Sequence, residues 1–383
     1  MGWNMQFKKP AYKLAAIIFM ISVFLFAILG LAYTQRLRNA LIKSTAEYKA
    51  TIIELEKKVV KFETSEPELQ QKIYELKSTL ISQSVHLTND ISANYELEID
   101  PSKVSLNHIP VKETSDSNAV QFIVAGHFYG NPHNRGVITP ASTLINAVPK
   151  INSLTPDLIF SLGDLAYSAS NESYQELRHN FINEINAPLF NAPGNHDVAT
   201  RRNLYESEFG QTFYYFTYAQ NQIIVLDTEI ANCFIAGKQK EMLEQAIESA
   251  LNNNGIENIF IFLHKALFLD GETDLRAEVN SQCGYGTNYT ELRDEIFIPA
   301  AEIKPVYILA GDVGARGDNL SPFYEKDADT NLYTLAIGLG DTPNDALLQI
   351  DISSTQVSFQ LISIGGNQLA PLETYTREYW SAP

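Results

Sequence analysis

Between Gln121 and Gly311 the chain repeats one pattern. Short apolar runs, QFIVAG, LIFSLG, LFNAPG, IIVLD, IFIFLH and VYILAG, each stop at Gly, Asp or His. Runs of this length that end in turn-forming residues read as buried strands. The segments VITPASTLINAVPKI, LYESEFG, GKQKEMLEQAIESALNN and TELRDEIFIPAAEI lie between or beside these runs and carry helical signals. Strands alternating with helices restrict the fold to the α/β class, with a sheet covered by helices. A later strand-rich part, NLYTLAIGLG, ALLQIDIS and QVSFQLISI, predicts a predominantly antiparallel second sheet.

In such sheets reactive groups gather beyond the carboxyl ends of the strands. The residues there are Gly126-His127-Phe128-Tyr129-Gly130, Gly163-Asp164-Leu165-Ala166-Tyr167, Gly194-Asn195-His196-Asp197, His264 and Gly311-Asp312-Val313-Gly314. Carboxylate, amide and imidazole groups converging at one rim suit a hard or borderline divalent metal. Simpler roles stand beside this one. His127 also fits a hydrogen-bonded rim histidine, Asp312 a turn cap, and Tyr167 plain packing. Arg135, Arg201, Arg202 and Arg316 sit near these loops, where an arginine either grips phosphate or is a solvated surface charge.

The ordered Gly-Asp and Gly-Asn-His-Asp blocks, followed by a single His at the end of IFIFL, resemble those of the calcineurin-like metallophosphoesterases. The resemblance covers about Gln121 to Ile364, and Gly-Asp-Leu-Ala-Tyr is similar to the purple acid phosphatase branch. It implies a two-sheet β-sandwich flanked by helices, two metals bridged by an aspartate, and hydrolysis of phosphate esters by metal-activated water. Carried over by position, Asp164 is the bridging carboxylate. Asn195 and His264 are ligands of the second metal, and His196 is the acid, oriented by Asp197. Two blocks depart from the pattern. His127-Phe128-Tyr129 stands where the family has Asp-x-His or Asp-x-Gly, and Gly311-Asp312-Val313-Gly314 where it has Gly-His-x-His. No histidine follows His264.

Sorted by metal, the losses are uneven. The second metal keeps Asp164, Asn195 and His264 and gains Asp312. The first is left with Asp164, His127 and Tyr167. The expected cofactor is therefore one or two divalent ions per chain, of Mn, Fe, Zn or Mg. The expected function is a membrane-anchored metal-dependent phosphoesterase, with Arg202 and Arg316 as substrate-binding candidates. The alternative is a catalytically weak or inactive relative that serves as a ligand-binding or assembly partner in the cell envelope.

Membrane anchoring is read from LAAIIFMISVFLFAILGLAY, residues 14–33, twenty residues without a charge. That length crosses about 30 Å of hydrocarbon. A short tail, 1–13, precedes it. Lys8, Lys9 and Lys13 on one side nearly balance Arg36, Arg38 and Lys43 on the other, and the orientation chosen places the large domain outside the cytoplasm, at the periplasmic or cell surface. Residues 34–90 carry a heptad seam through Leu41, Tyr48, Leu55 and Phe62, with Ile52 and Val59 interleaved, that resumes at Leu69, Ile73, Leu76 and Leu80 beyond Pro67. This predicts a coiled-coil stalk and a homo-oligomer. A linker, 91–120, leads to the metallophosphoesterase-like domain, 121–383. The net charge of −17 argues against nucleic acid and leaves a phosphorylated small molecule or glycan as the expected partner. Cys233 and Cys283 have no metal-binding spacing; they form one disulfide or remain two thiols.

Overall fold

The computed structural model describes residues 72, 78–79, 81–83, 85–86, 88–112, 119–131, 138–284, 286–316, 319–354 and 356–382. The predicted membrane span at 14–33 and most of the predicted stalk at 34–90 lie outside them, as does Arg135. Among the described residues no helix is long and apolar enough to cross a membrane.

The strands are β1 (Val120–Ala125), β2 (Leu158–Ser161), β3 (Leu189–Asn191), β4 (Tyr214–Tyr218), β5 (Asn221–Val225), β6 (Asn258–Leu263), β7 (Val306–Ala310), β8 (Phe323–Lys326), β9 (Leu332–Ala336), β10 (Ala346–Ile352) and β11 (Val357–Ser363). They form a five-stranded sheet, ordered β11-β10-β1-β2-β3, and a six-stranded sheet, ordered β4-β5-β6-β7-β9-β8. Strands β1, β2 and β3 run parallel, as do β5, β6, β7 and β9. Antiparallel strands complete both sheets.

Period-two alternation along the strands explains the layering. Phe122 and Val124 of β1 and Phe160 of β2 face Phe260 and Phe262 of β6 and Leu309 of β7, in a core between the sheets. Phe160 and Phe262 stack there with centroids 3.9 Å apart. The alternate residues point the other way. Ile123 and Ile159 pack under α1 (Ser142–Leu154) and α2 (Asn171–Asn180), whereas Ile259, Ile261 and Ile308 pack under Met242, Leu243 and Ala246. The result is a two-sheet α/β sandwich with helices on both outer faces, as the resemblance implied.

One expectation of the strand assignment fails. The late strands do not make a separate antiparallel sheet: β9 joins β7 in parallel, while β10 and β11 extend the other sheet from β1. Residues 91–112, which the sequence places in a linker, lie on the domain. The Ile99 N–H donates to Tyr215 O at 3.0 Å and the Leu106 N–H to Leu189 O at 2.8 Å. This segment thereby pairs with an edge strand of each sheet and covers backbone groups that would otherwise be open to other chains.

Candidate metal centre

The parallel strands β1, β2, β6 and β7, together with the turn after β3, deliver His127, Asp164, Asn195, His264 and Asp312 to one rim. Sharp turns are needed to aim these side chains inward. His127 and Asp164 take left-handed backbone angles, with φ of 60° and 57°. Such angles are uncommon outside glycine and concentrate at functional sites. A Cβ at Gly194 would collide with Asp164 Oδ1, so the chain passes this carboxylate only as glycine. Asn195 opens a one-turn helix, α3 (Asn195–Val198), and its neighbour's backbone, the His196 N–H, donates to Asp164 Oδ1 at 3.0 Å.

His127, Asp164, His264 and Asp312 are each no more than 2% exposed. His264 Nδ1 donates to Leu162 O at 2.7 Å and His127 Nδ1 to Leu339 O at 3.1 Å. A carbonyl can only accept, so each ring keeps its proton on Nδ1 and turns Nε2 toward the cluster. Burial pulls the pKa of His127 down to about 3 and that of His264 to about 4, which makes both rings neutral. Their bare Nε2 atoms then face carboxylate oxygens. His127 Nε2 lies 3.5 Å from Asp164 Oδ2, and His264 Nε2 lies 3.5 Å from Asp164 Oδ1 and 3.7 Å from Asp312 Oδ1. Lone pairs set against these oxygens repel unless a proton or a metal ion stands between them, and burial raises the pKa of Asp164. The donor set fits a divalent ion on this observation. Ligand atoms of His127, Asp164 and Asp312 all lie within 4.8 Å of one another.

The four groups expected around the second metal also meet, since His264 Nε2 is 3.3 Å from Asn195 Oδ1. A residue that sequence reasoning missed lies among them. Lys265 is 6% exposed, and its Nζ donates to Asn195 Oδ1 at 2.7 Å, to Asp312 Oδ2 at 2.7 Å and to Ser281 Oγ. Burial alone would favour the neutral amine, but Asp312, Glu229 and Asp164 outweigh it and hold the ammonium above the usual lysine range. Burial likewise works against the Asp312 carboxylate, yet Lys265 and His264 hold it below the usual range. Asp164 is pushed well above that range by burial and by Asp197 and Asp312. The two carboxylates are therefore unlike: one has its cation and the other lacks one.

The structure corrects the role given to Asp197. Its carboxylate does not touch the His196 ring. It accepts from the N–H groups of Asp164, Leu165 and Gly194, each at 2.9 Å. Consecutive residues on a helix diverge, so Asp197 cannot face the ring of His196. It fixes two site loops instead. The His196 ring is oriented by Tyr167 O, to which Nδ1 donates at 2.5 Å, and by the Tyr129 hydroxyl, 3.2 Å from Nε2. The Tyr167 ring meets Tyr129 edge-on with centroids 5.3 Å apart, a packing contact.

Arg202 is withdrawn from any substrate. Its Nη1 donates to Asp227 Oδ2 at 2.5 Å, and Asp227 is fully buried. Arg202→Met leaves that carboxylate buried and unpaired, and is expected to cost roughly 3–5 kcal/mol in urea unfolding. A loss below about 1 kcal/mol would mean that the pair is not buried in solution. Arg316 is exposed.

Residues 132–313 match the family model of the calcineurin-like phosphoesterases. This is the resemblance read from the sequence blocks. Among solved structures, a purple acid phosphatase isolated from yellow lupin (Lupinus luteus) seeds is similar at 11% identity and a TM-score of 0.47, covering 67% of this chain. The chain spans 53% of that structure's length. No curated protein matches. The family implies use of a divalent metal.

Proposed function

We propose that this calcineurin-like chain is a membrane-anchored, metal-dependent phosphoesterase. The observation that carries the reading is the meeting, at one buried rim, of two carboxylates with two neutral imidazoles whose Nε2 atoms face them. His127, Asp164 and Asp312, with His264 beside them, would hold a divalent ion. Such an ion supplies an activated water near neutral pH and a Lewis acid for a phosphoryl oxygen. The chain's own groups do the rest. His196, part-exposed and held by Tyr167 O through Nδ1–H, leaves Nε2 to take up a proton from solvent and pass it to a leaving oxygen, against a burial that lowers its pKa. Tyr129, buried between the His127 and His196 rings, fixes that imidazole and excludes water.

The membrane, stalk and compartment assignments belong to the same proposal. Residues 14–33 are the single-pass anchor, and the heptads of 34–90 pair copies of the chain. The domain lies on the extracytoplasmic side, and its disulfide supports that side, since such bonds persist in oxidising compartments. A phosphorylated small molecule or a glycan phosphate is the substrate class proposed.

A second reading has an observation of its own. Lys265 already bonds two oxygens expected to bind metal, Asn195 Oδ1 and Asp312 Oδ2, as a protein that has given up turnover for ligand binding could allow. One experiment separates the two. The purified chain is assayed on an aryl phosphate after chelation and after return of Mn, Fe, Zn or Mg. Turnover lost on chelation and restored by one ion is expected. A metal-loaded chain that turns over nothing with any of them favours the binding role.

A further inference from the structure

We infer that the Lys265 ammonium takes the place of one metal ion, so that the centre holds a single divalent ion on the side of His127, Asp164 and Asp312. This rests on the reading of the centre as metal-dependent. The three N–H donors of the ammonium are all used, on Asn195 Oδ1, Asp312 Oδ2 and Ser281 Oγ. Glu229 Oε1 stands 4.0 Å away as a further negative group. A divalent ion bound to Asn195 and to the same Asp312 oxygen would lie directly against this ammonium, with no solvent between the two charges.

Lys265 is held from its backbone to its tip. Its backbone N–H donates to Thr228 Oγ1 at 3.3 Å, and its side chain is 7% exposed. Ser281 Oγ also donates to Asp312 Oδ2 at 2.5 Å, which closes a ring of three groups around that oxygen. The opposite side has no such occupant. There His127 Nε2 faces Asp164 Oδ2, and no lysine or arginine is bonded to Asp164 among the described residues. The demand for a cation that remains is on Asp164. With every ammonium proton engaged within the protein, Lys265 is a positioning residue: it holds Asn195 and Asp312 in place and supplies fixed positive charge, but does not grip substrate.

The test counts ions. Purified full-length chain in detergent is saturated with Mn²⁺, washed of excess, and examined for metal content and by electron paramagnetic resonance. Two ions about 3.5–4 Å apart, as in two-metal sites, couple magnetically, whereas one does not. The expected result is about one uncoupled ion per wild-type chain and about two coupled ions in Lys265→Ala, where the vacated oxygens become ligands. A coupled pair in wild type overturns the inference and leaves the metal-dependent reading standing. No bound ion in wild type overturns both. One ion in each protein also overturns it, because Lys265 would then not be what excludes the second. Should Lys265→Ala fail to fold, two other variants decide. His127→Ala is expected to weaken Mn²⁺ about 100-fold more than Asn195→Ala does, and the reverse order would place the ion on the Asn195 side.

Discussion

Asp164→Ala is expected to remove bound metal and hydrolysis together, whereas His196→Ala keeps the metal and lowers kcat by roughly 10²–10⁴-fold. The contrast follows from what each side chain touches. Asp164 presents Oδ2 to His127 and Oδ1 to His264, so it is the one carboxylate shared by both imidazoles. Its loss should weaken the ion by more than the roughly 10–100-fold that outer partners cost. His196 faces the Tyr129 hydroxyl through Nε2 and contributes only its backbone N–H to Asp164. Its imidazole therefore acts on proton transfer without holding the ion. Metal content, kcat and KM measured on the same preparations check both halves. An Asp164→Ala chain with undiminished metal would refute the placement of the centre. A His196→Ala chain with unchanged kcat would take His196 out of the chemistry.

Much of this centre was legible because strand ends announce themselves. An apolar run that stops at Gly-Asp or at Gly-Asn-His-Asp states both where the backbone turns and which groups arrive there. Lys265 was missed because reading for metal ligands looks for imidazoles and carboxylates. A signal was present: in IFIFLHKALFL the lysine is flanked on both sides by residues that must be buried, so its charge needed an internal partner. Asp197 was misread because its role was carried over from the family pattern, whereas one step along a helix turns its side chain away from the His196 ring. Gly314 shows the reverse case. Its φ of +77° and the Gly338 carbonyl, 2.5 Å from where a Cβ would stand, leave no room for the histidine the family pattern places there. That block is altered in backbone as well as in side chain. The allotment of β9, β10 and β11 to different sheets was not legible, because their local patterns are alike and only long-range pairing distinguishes them.

Reduction of the Cys233–Cys283 disulfide is expected to destabilise the domain and loosen Asp312 at the same time. The bond closes a loop of 50 residues between the turn after β5 and the segment ahead of the helix beginning at Tyr289. A loop of that length corresponds to about 4 kcal/mol in the chain-entropy model, or roughly 10 °C in Tm for a domain of this size. The link to the site runs through neighbouring residues. The Asn280 N–H donates to Asp312 O at 2.9 Å, and Ser281 Oγ donates to Asp312 Oδ2 at 2.5 Å. The Cys283 N–H donates to Asp270 Oδ1 at 2.7 Å and holds the same segment from its far end. Freed of the bond, residues 280–283 lose their covalent anchor and keep only hydrogen bonds, so Asp312 loses the fixed position of its outer partners. The Cys233→Ala, Cys283→Ala double variant should therefore melt roughly 10 °C lower and bind its ion about 10–100-fold more weakly. Thermal denaturation and metal titration of that variant beside wild type, each with and without reductant, give both numbers. A lower Tm with unchanged metal affinity would confine the bond to stability and leave the hydrogen bonds of residues 280–283 as sufficient to hold Ser281 against Asp312.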